Sequence, residues 1–174
     1  MEFWDVYDKN RRPKGTKIMR GGGRRLAKGE YHLTAHVCVF SGDGRMLIQR
    51  RIDSKPLWGG LWEITAGGSV LAGENTAAGA ERELFEEMGI RVNFSVLNPS
   101  MTFYHDECIS DYYVVHADVV PSELELQQTE VSDARYATRD EVLDMLDGGA
   151  FVPYRKGFIE LLFDLAESRK LFDL

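Results

Sequence analysis

Residues 75–90 constrain this chain most. Ala77, Ala80, Leu84 and Met88 recur at helical spacing, Asn75 has N-cap chemistry and Gly89 has stop chemistry, so a helix over 75–88 is predicted. At about 100° per residue, Glu83, Glu86 and Glu87 share roughly 100° of arc beside the apolar stripe. Like charges at that spacing repel, and they sit in the last turns, where the negative end of the helix dipole disfavours anions. A solvated acidic face tolerates such an arrangement. A bound divalent cation removes both penalties, and hard cations such as Mg²⁺ take carboxylate oxygens while keeping waters, which leaves room for substrate phosphates.

The rest of the chain is sized for a single domain. It has 174 residues, 44% hydrophobic and 28% charged, and no apolar run approaches the ~18 residues of a membrane helix. No membrane association is expected. The N-terminus lacks a basic patch feeding an apolar stretch, and Cys38 and Cys108 are too few for a disulfide framework, so a cytoplasmic location is expected. The net charge of −7 is uneven: residues 1–28 hold nine Lys and Arg against three Asp and Glu, leaving an acidic remainder. An acidic body disfavours nucleic-acid binding, which needs Lys and Arg for phosphate contacts. Residues 1–31 read as a basic hairpin and Gly-rich lead-in belonging to the same globule as the main domain, 32–174. Strands are predicted over 35–40, 46–48, 62–65, 91–96, 102–104, 112–120 and 134–137. Thr138 with Glu141 makes a capping box for a helix to about Asp147, and Phe158, Leu161, Leu162 and Leu165 mark a last helix. Strands between helices without regular βαβ repetition predict a mixed-sheet α/β/α layer protein.

Gly68 is followed by five residues and Glu74, then by seven residues and Arg82-Glu83-Leu84-Phe85-Glu86-Glu87-Met88-Gly89-Ile90. This resembles the signature of the Nudix hydrolases, G-x5-E-x7-R-E-U-x-E-E-x-G-U with U aliphatic, at every fixed position. A chance match is of order 10⁻⁸ at average residue usage. The resemblance implies an α/β/α sandwich with a mixed sheet and the signature as loop–helix–loop. It implies Mg²⁺ or Mn²⁺ and hydrolysis of the P–O–P bond in a nucleoside diphosphate linked to another moiety, or in a related small diphosphate. By position, Glu83, Glu86 and Glu87 resemble metal ligands, Arg82 the residue that orients them, and Glu74 a support for the loop–helix geometry. Glu74 also suits a first-turn carboxylate favoured by the dipole. Gly67 and Gly68 would let backbone approach the metal and phosphates. Glu130, in a loop six residues before Tyr136, is similarly placed to a metal ligand or general base of some Nudix hydrolases; the base is Glu83 or Glu130.

Arg50 and Arg51 end a strand, and alternation lets one of them face a substrate phosphate. Trp58, in a Gly/Pro loop, is a candidate for lining the substrate pocket, whereas Trp62 reads as core. Tyr104, His105, Tyr112 and Tyr113 read as core or surface with a pocket role open. The framework around Tyr31-His32-Leu33 and Leu47-Ile48-Gln49-Arg50-Arg51 also resembles the branch related to type I isopentenyl-diphosphate isomerases. That branch carries a catalytic Cys and a metal-binding His in the loop before the helix; here the loop reads Thr65-Ala66-Gly67-Gly68. An isomerase-like enzyme and a non-catalytic ligand-binding domain are the alternatives. The expected partner is a small-molecule diphosphate, and a homodimer is left open.

Overall fold

A computed structural model describes residues 1–23 and 25–167. The chain is an α/β protein of nine strands and three helices among those residues. In order they are β1 (Phe3–Tyr7), β2 (Pro13–Met19), β3 (His32–Phe40), β4 (Met46–Arg51), β5 (Trp62–Glu63), β6 (Ala66–Ser69), α1 (Thr76–Met88), β7 (Met101–His105), β8 (Cys108–His116), β9 (Val131–Ala137), α2 (Arg139–Asp147) and α3 (Lys156–Glu167). No described helix is long and apolar enough to cross a membrane.

Two compact units divide the chain. The first comprises Met1–His36, Gly67–Glu83 and Arg91–Tyr113. Its β1–β2 hairpin turns where expected, because Asp8 Oδ1 accepts from the backbone N–H groups of Asn10 and Arg12. That Asx geometry supports Arg11 at φ 63°, a conformation non-glycine residues rarely adopt. Val6, Ile18 and Leu26 form a small core beneath the hairpin. Trp4 packs against it and stacks on His32, ring centroids 4.1 Å apart. The lead-in is therefore folded onto its own unit. β6 pairs with β3, and β7 pairs antiparallel with β8 from Met101–Tyr112 to His105–Cys108.

The second unit comprises Val37–Ala66, Leu84–Ile90 and the chain from Val114. Here β4 lies between β5 and β9, antiparallel to both, and turns back antiparallel onto β3 at Phe40–Met46. A parallel bridge joins Trp62 to Phe151, so the sheet is mixed. Leu84, Met88, Val142, Ile159, Leu162 and Phe163 are buried, and Phe163 meets the Phe40 ring edge-on. Thr65 is buried because its hydroxyl donates to Leu47 O and accepts from Val39 N–H.

Local rules account for most element ends. Asn75 Oδ1 accepts from Ala78 N–H, and Gly89, at φ 70°, donates its N–H to Phe85 O beyond the last turn. Thr138 and Glu141 form the expected reciprocal capping box. Two strand expectations are corrected. Residues 91–96 hold a single 3₁₀ turn, Phe94–Val96, because Asn93 Oδ1 accepts from Ser95 N–H and offers the backbone a local alternative to a ladder. β8 stops at His116, ahead of a 3₁₀ turn begun by Pro121.

Candidate active site

In the first unit, Arg82 gathers the loop and the helix start. Its Nε and Nη2 donate to Glu74 Oε1 (3.0 Å) and Oε2 (3.1 Å), Nη1 to Glu83 Oε1 (2.8 Å), and Nη2 also to Ser69 O (3.0 Å). Glu74 Oε2 also accepts from Leu71 N–H, which closes the loop ahead of α1. Burial opposes the Arg82 charge, but the hydrogen bond to Glu74 and the charge of Glu83 outweigh it and raise its pKa. A planar, permanently charged fork suits this fourfold task.

Gly67 and Gly68 lie at two close approaches. A Cβ at Gly68 would stand 2.4 Å from Glu83 Oε1, so the carboxylate rests against bare backbone. A Cβ at Gly67 would stand 2.4 Å from His36 Nδ1. The His36 ring is stacked on Tyr112 at 4.5 Å, and its Nε2 pairs with Thr34 Oγ1, which pairs in turn with Ser110 Oγ. Burial, aided by the nearby His105, pushes the His36 pKa down to about 4 against the pull of Asp111. The imidazole is neutral near pH 7.

Also in this unit, Asp111 is 0% exposed and accepts four hydrogen bonds. Two come from the Arg11 guanidinium, one from Thr76 Oγ1 and one from Thr102 Oγ1. Burial alone would raise its pKa, but those donors lower it. One cation of the basic hairpin is thereby committed to an internal ion pair.

In the second unit, the end of α1 presents Glu86 to solvent and buries Glu87, which is 8% exposed. The carboxylates thus do not form one uniform face. Gln49 of β4, 1% exposed, donates from Nε2 to Glu87 Oε2 (2.9 Å) and Glu63 Oε1 (3.2 Å). Arg51 Nη1 donates to the same Glu63 oxygen at 2.6 Å, and Arg51 Nε to Leu57 O. Burial raises the Glu63 pKa, opposed by Arg51. Arg50 turns to the other side of the strand, bonding Asp53 Oδ1 and Ser132 Oγ. Glu130 is ion-paired with Lys55. Trp58 is 43% exposed at φ 54° in its loop.

Among the described residues no three His, Cys, Asp or Glu side chains are gathered tightly enough to enclose a metal. A hydrated Mg²⁺ does not need a closed protein cage. The residues present fit it on two counts. The donors are hard carboxylates, and the Glu83 carboxylate lies in a cradle that a Cβ would fill.

The glycine-backed Glu83, held by an arginine that also grips the preceding loop, is the arrangement into which the Nudix-like signature of residues 68–90 folds. The sequence matches the NUDIX domain over residues 30–157; the chain belongs to this family, and its activity is Nudix-type hydrolysis of a diphosphate. It is 40% identical over 168 residues to a Nudix hydrolase of Listeria monocytogenes, spanning 97% of each chain. It is 31% identical over 146 residues to an isopentenyl-diphosphate Delta-isomerase of Pectobacterium atrosepticum, spanning 79% of this chain and 76% of that protein. In fold it resembles the crystal structure of DR0079 from Deinococcus radiodurans, with a TM-score of 0.74 at 19% identity, covering 92% of this chain and 97% of the other.

Gln49, Glu63 and His36 were not among the sequence candidates. The available signal for Gln49 was a lone amide closing the apolar run Met46-Leu47-Ile48.

Proposed function

We propose that the chain hydrolyses a nucleoside diphosphate linked to another moiety, or a related small diphosphate, with Mg²⁺ or Mn²⁺ held by Glu83, Glu86 and Glu87 and assisted by Glu130. The observation that supports this reading is the grip of Arg82 on Glu74, Glu83 and Ser69 O, with the Glu83 carboxylate against Gly68. Bound metal supplies charge withdrawal from the phosphate oxygens and acidifies a ligated water. Arg82 fixes the Glu83 carboxylate in advance of substrate, which is the placement phosphoryl chemistry depends on. Glu83 or Glu130 accepts the proton of the attacking water. For Glu130 this role requires that Lys55 yield its ion pair when substrate enters. Gly67 and Gly68 are assigned to the backbone that approaches the metal and phosphates; their own Cβ positions face His36 and Glu83. Arg50 or Arg51 is assigned to a phosphate and Trp58 to the pocket wall; Arg51 must then share its guanidinium with Glu63.

The isomerase-like alternative has the Pectobacterium relative in its favour. Against it stand Ala66 and Gly68, which cannot supply the thiol and imidazole of that branch. A screen over nucleoside triphosphates, nucleotide sugars, dinucleoside polyphosphates, ADP-ribose, coenzyme A and prenyl diphosphates tests the choice. Metal-dependent phosphate-ester release is expected, with E83Q and E130Q separating the two candidate bases. Full turnover in excess chelator, or isoprenoid proton exchange without phosphate release, overturns the reading.

A further inference from the structure

We infer that Gln49 is a positioning residue, one that presets Glu87 for a cation without neutralising it; the inference rests on the assignment of Glu87 as a metal ligand. All of its parts lie in the second unit. The single amide nitrogen of Gln49 carries two hydrogens, and each goes to a different carboxylate: Glu87 Oε2 at 2.9 Å and Glu63 Oε1 at 3.2 Å. Glu63 is fixed from its far side by Arg51 at 2.6 Å. The order along this chain is therefore cation, carboxylate, amide, carboxylate.

That order matters chemically. A buried carboxylate needs donors, and a Lys or Arg at position 49 would satisfy Glu87 while cancelling the charge that attracts a metal ion. The neutral amide directs the carboxylate and leaves its charge in place. The positive charge of Arg51 stands one carboxylate further away, where it pairs with Glu63. The orphaned Gln49 Oε1 follows from the same arrangement. Flipping the amide would turn the carbonyl oxygen toward two carboxylates, so the amide keeps the orientation that leaves its own oxygen without a partner. A buried polar atom left unpaired in this way marks a side chain fixed by its neighbours, as positioning requires.

The test is Mn²⁺ binding to the full chain without substrate, read by electron paramagnetic resonance of free Mn²⁺, for the parent, Q49M, E87Q and Q49M/E87Q. Q49M keeps the length and removes the donor. The Mn²⁺ Kd of Q49M is expected to rise about tenfold, with kcat largely recovered at saturating metal. In the E87Q background the same change should alter Kd less than twofold, because Gln49 acts through Glu87. Equal effects in the two backgrounds, or no effect of Q49M, overturn the role of Gln49. If E87Q itself leaves Mn²⁺ binding unchanged, the ligand assignment fails instead, which keeps the two failures distinct. Q49S, too short to reach either carboxylate, carries the same comparison if Q49M does not fold.

Discussion

Replacing Arg11 by Met isolates the ion pair beneath the hairpin turn. The substitution keeps much of the stem's apolar bulk and removes the two guanidinium hydrogen bonds to Asp111. Breaking a buried pair by deleting one partner costs about 3–5 kcal/mol, because the other charge stays buried. Two features reduce that figure: the Arg11 side chain is 32% exposed, and the Thr76 and Thr102 hydroxyls still donate to the carboxylate. A loss of about 3 kcal/mol follows, which is a Tm drop of roughly 6–12 °C for a chain of this size. The pH dependence carries a definite sign. In the parent, the depressed pKa of Asp111 contributes stability that is present above its unfolded value and lost as pH falls through the folded one. In R11M, burial without the cation raises that pKa instead, so acidification lets Asp111 protonate and narrows the gap between variant and parent. The double variant R11M/D111N, with no charge to compensate, should recover to within about 1 kcal/mol of the parent. Calorimetry at pH 7 and pH 4.5 measures all three. An R11M variant that melts within about 1 kcal/mol of the parent, or a gap indifferent to pH, would refute the reasoning.

The other expectations are briefer. Gly68→Ala should cost more than 100-fold in kcat with little change in Tm, because the added methyl displaces the flexible end of Glu83; rate and melting measurements on one preparation check it. Gly67→Ala should instead lose about 1–3 kcal/mol of stability, because it meets the His36 ring and the Tyr112 stack prevents that ring from withdrawing. Glu87→Gln should remove most activity while metal-free stability holds or rises by up to about 1 kcal/mol, since an amide relieves the cost of a buried charge; melting with and without Mg²⁺ decides it. For His36, with its pKa lowered to about 4, the unfolded chain binds more protons between roughly pH 6.5 and pH 4, so stability falls on acidification across that window. With the ring partly open to solvent, the loss is about 1–3 kcal/mol, and it should vanish in His36→Gln titrated the same way.

What was legible in the sequence was mainly what is local. Asn75, Gly89 and the Thr138–Glu141 box act within four residues of themselves, so the helix limits they set hold to within a residue. The arginine–glutamate spacing of the signature places Arg82 beside Glu83, and the structure adds Glu74 and Ser69 to its grip. β3 begins at His32, three residues ahead of the predicted strand, because the run rich in valine and aromatics that marks it starts only after the polar Thr34. The polarity of Thr34 is matched across the sheet by Ser110, a partner 76 residues away. Pairing with residues outside their own elements also hid the commitments of Arg11 to Asp111, 100 residues on, and of Arg51 to Glu63, 12 residues on. A periodicity argument places a side chain on a face, but it does not show which opposing group is already there. The acidic stripe is the clearest case: helix geometry puts Glu87 beside Glu83, but only tertiary packing decides that Glu87 is buried against an amide.

The close approach of Gly67 to His36 implies that these two positions drift together. With a ring at 36, any side chain at 67 presses on it, so alanine at 67 is accommodated without loss of stability only where residue 36 is smaller. Gly68 answers to Glu83 in the same manner, but there the partner is the proposed metal ligand, and on that proposal it is not free to shrink. Among related sequences, then, position 67 should vary in step with position 36, while position 68 stays glycine for as long as the glutamate at 83 is in use.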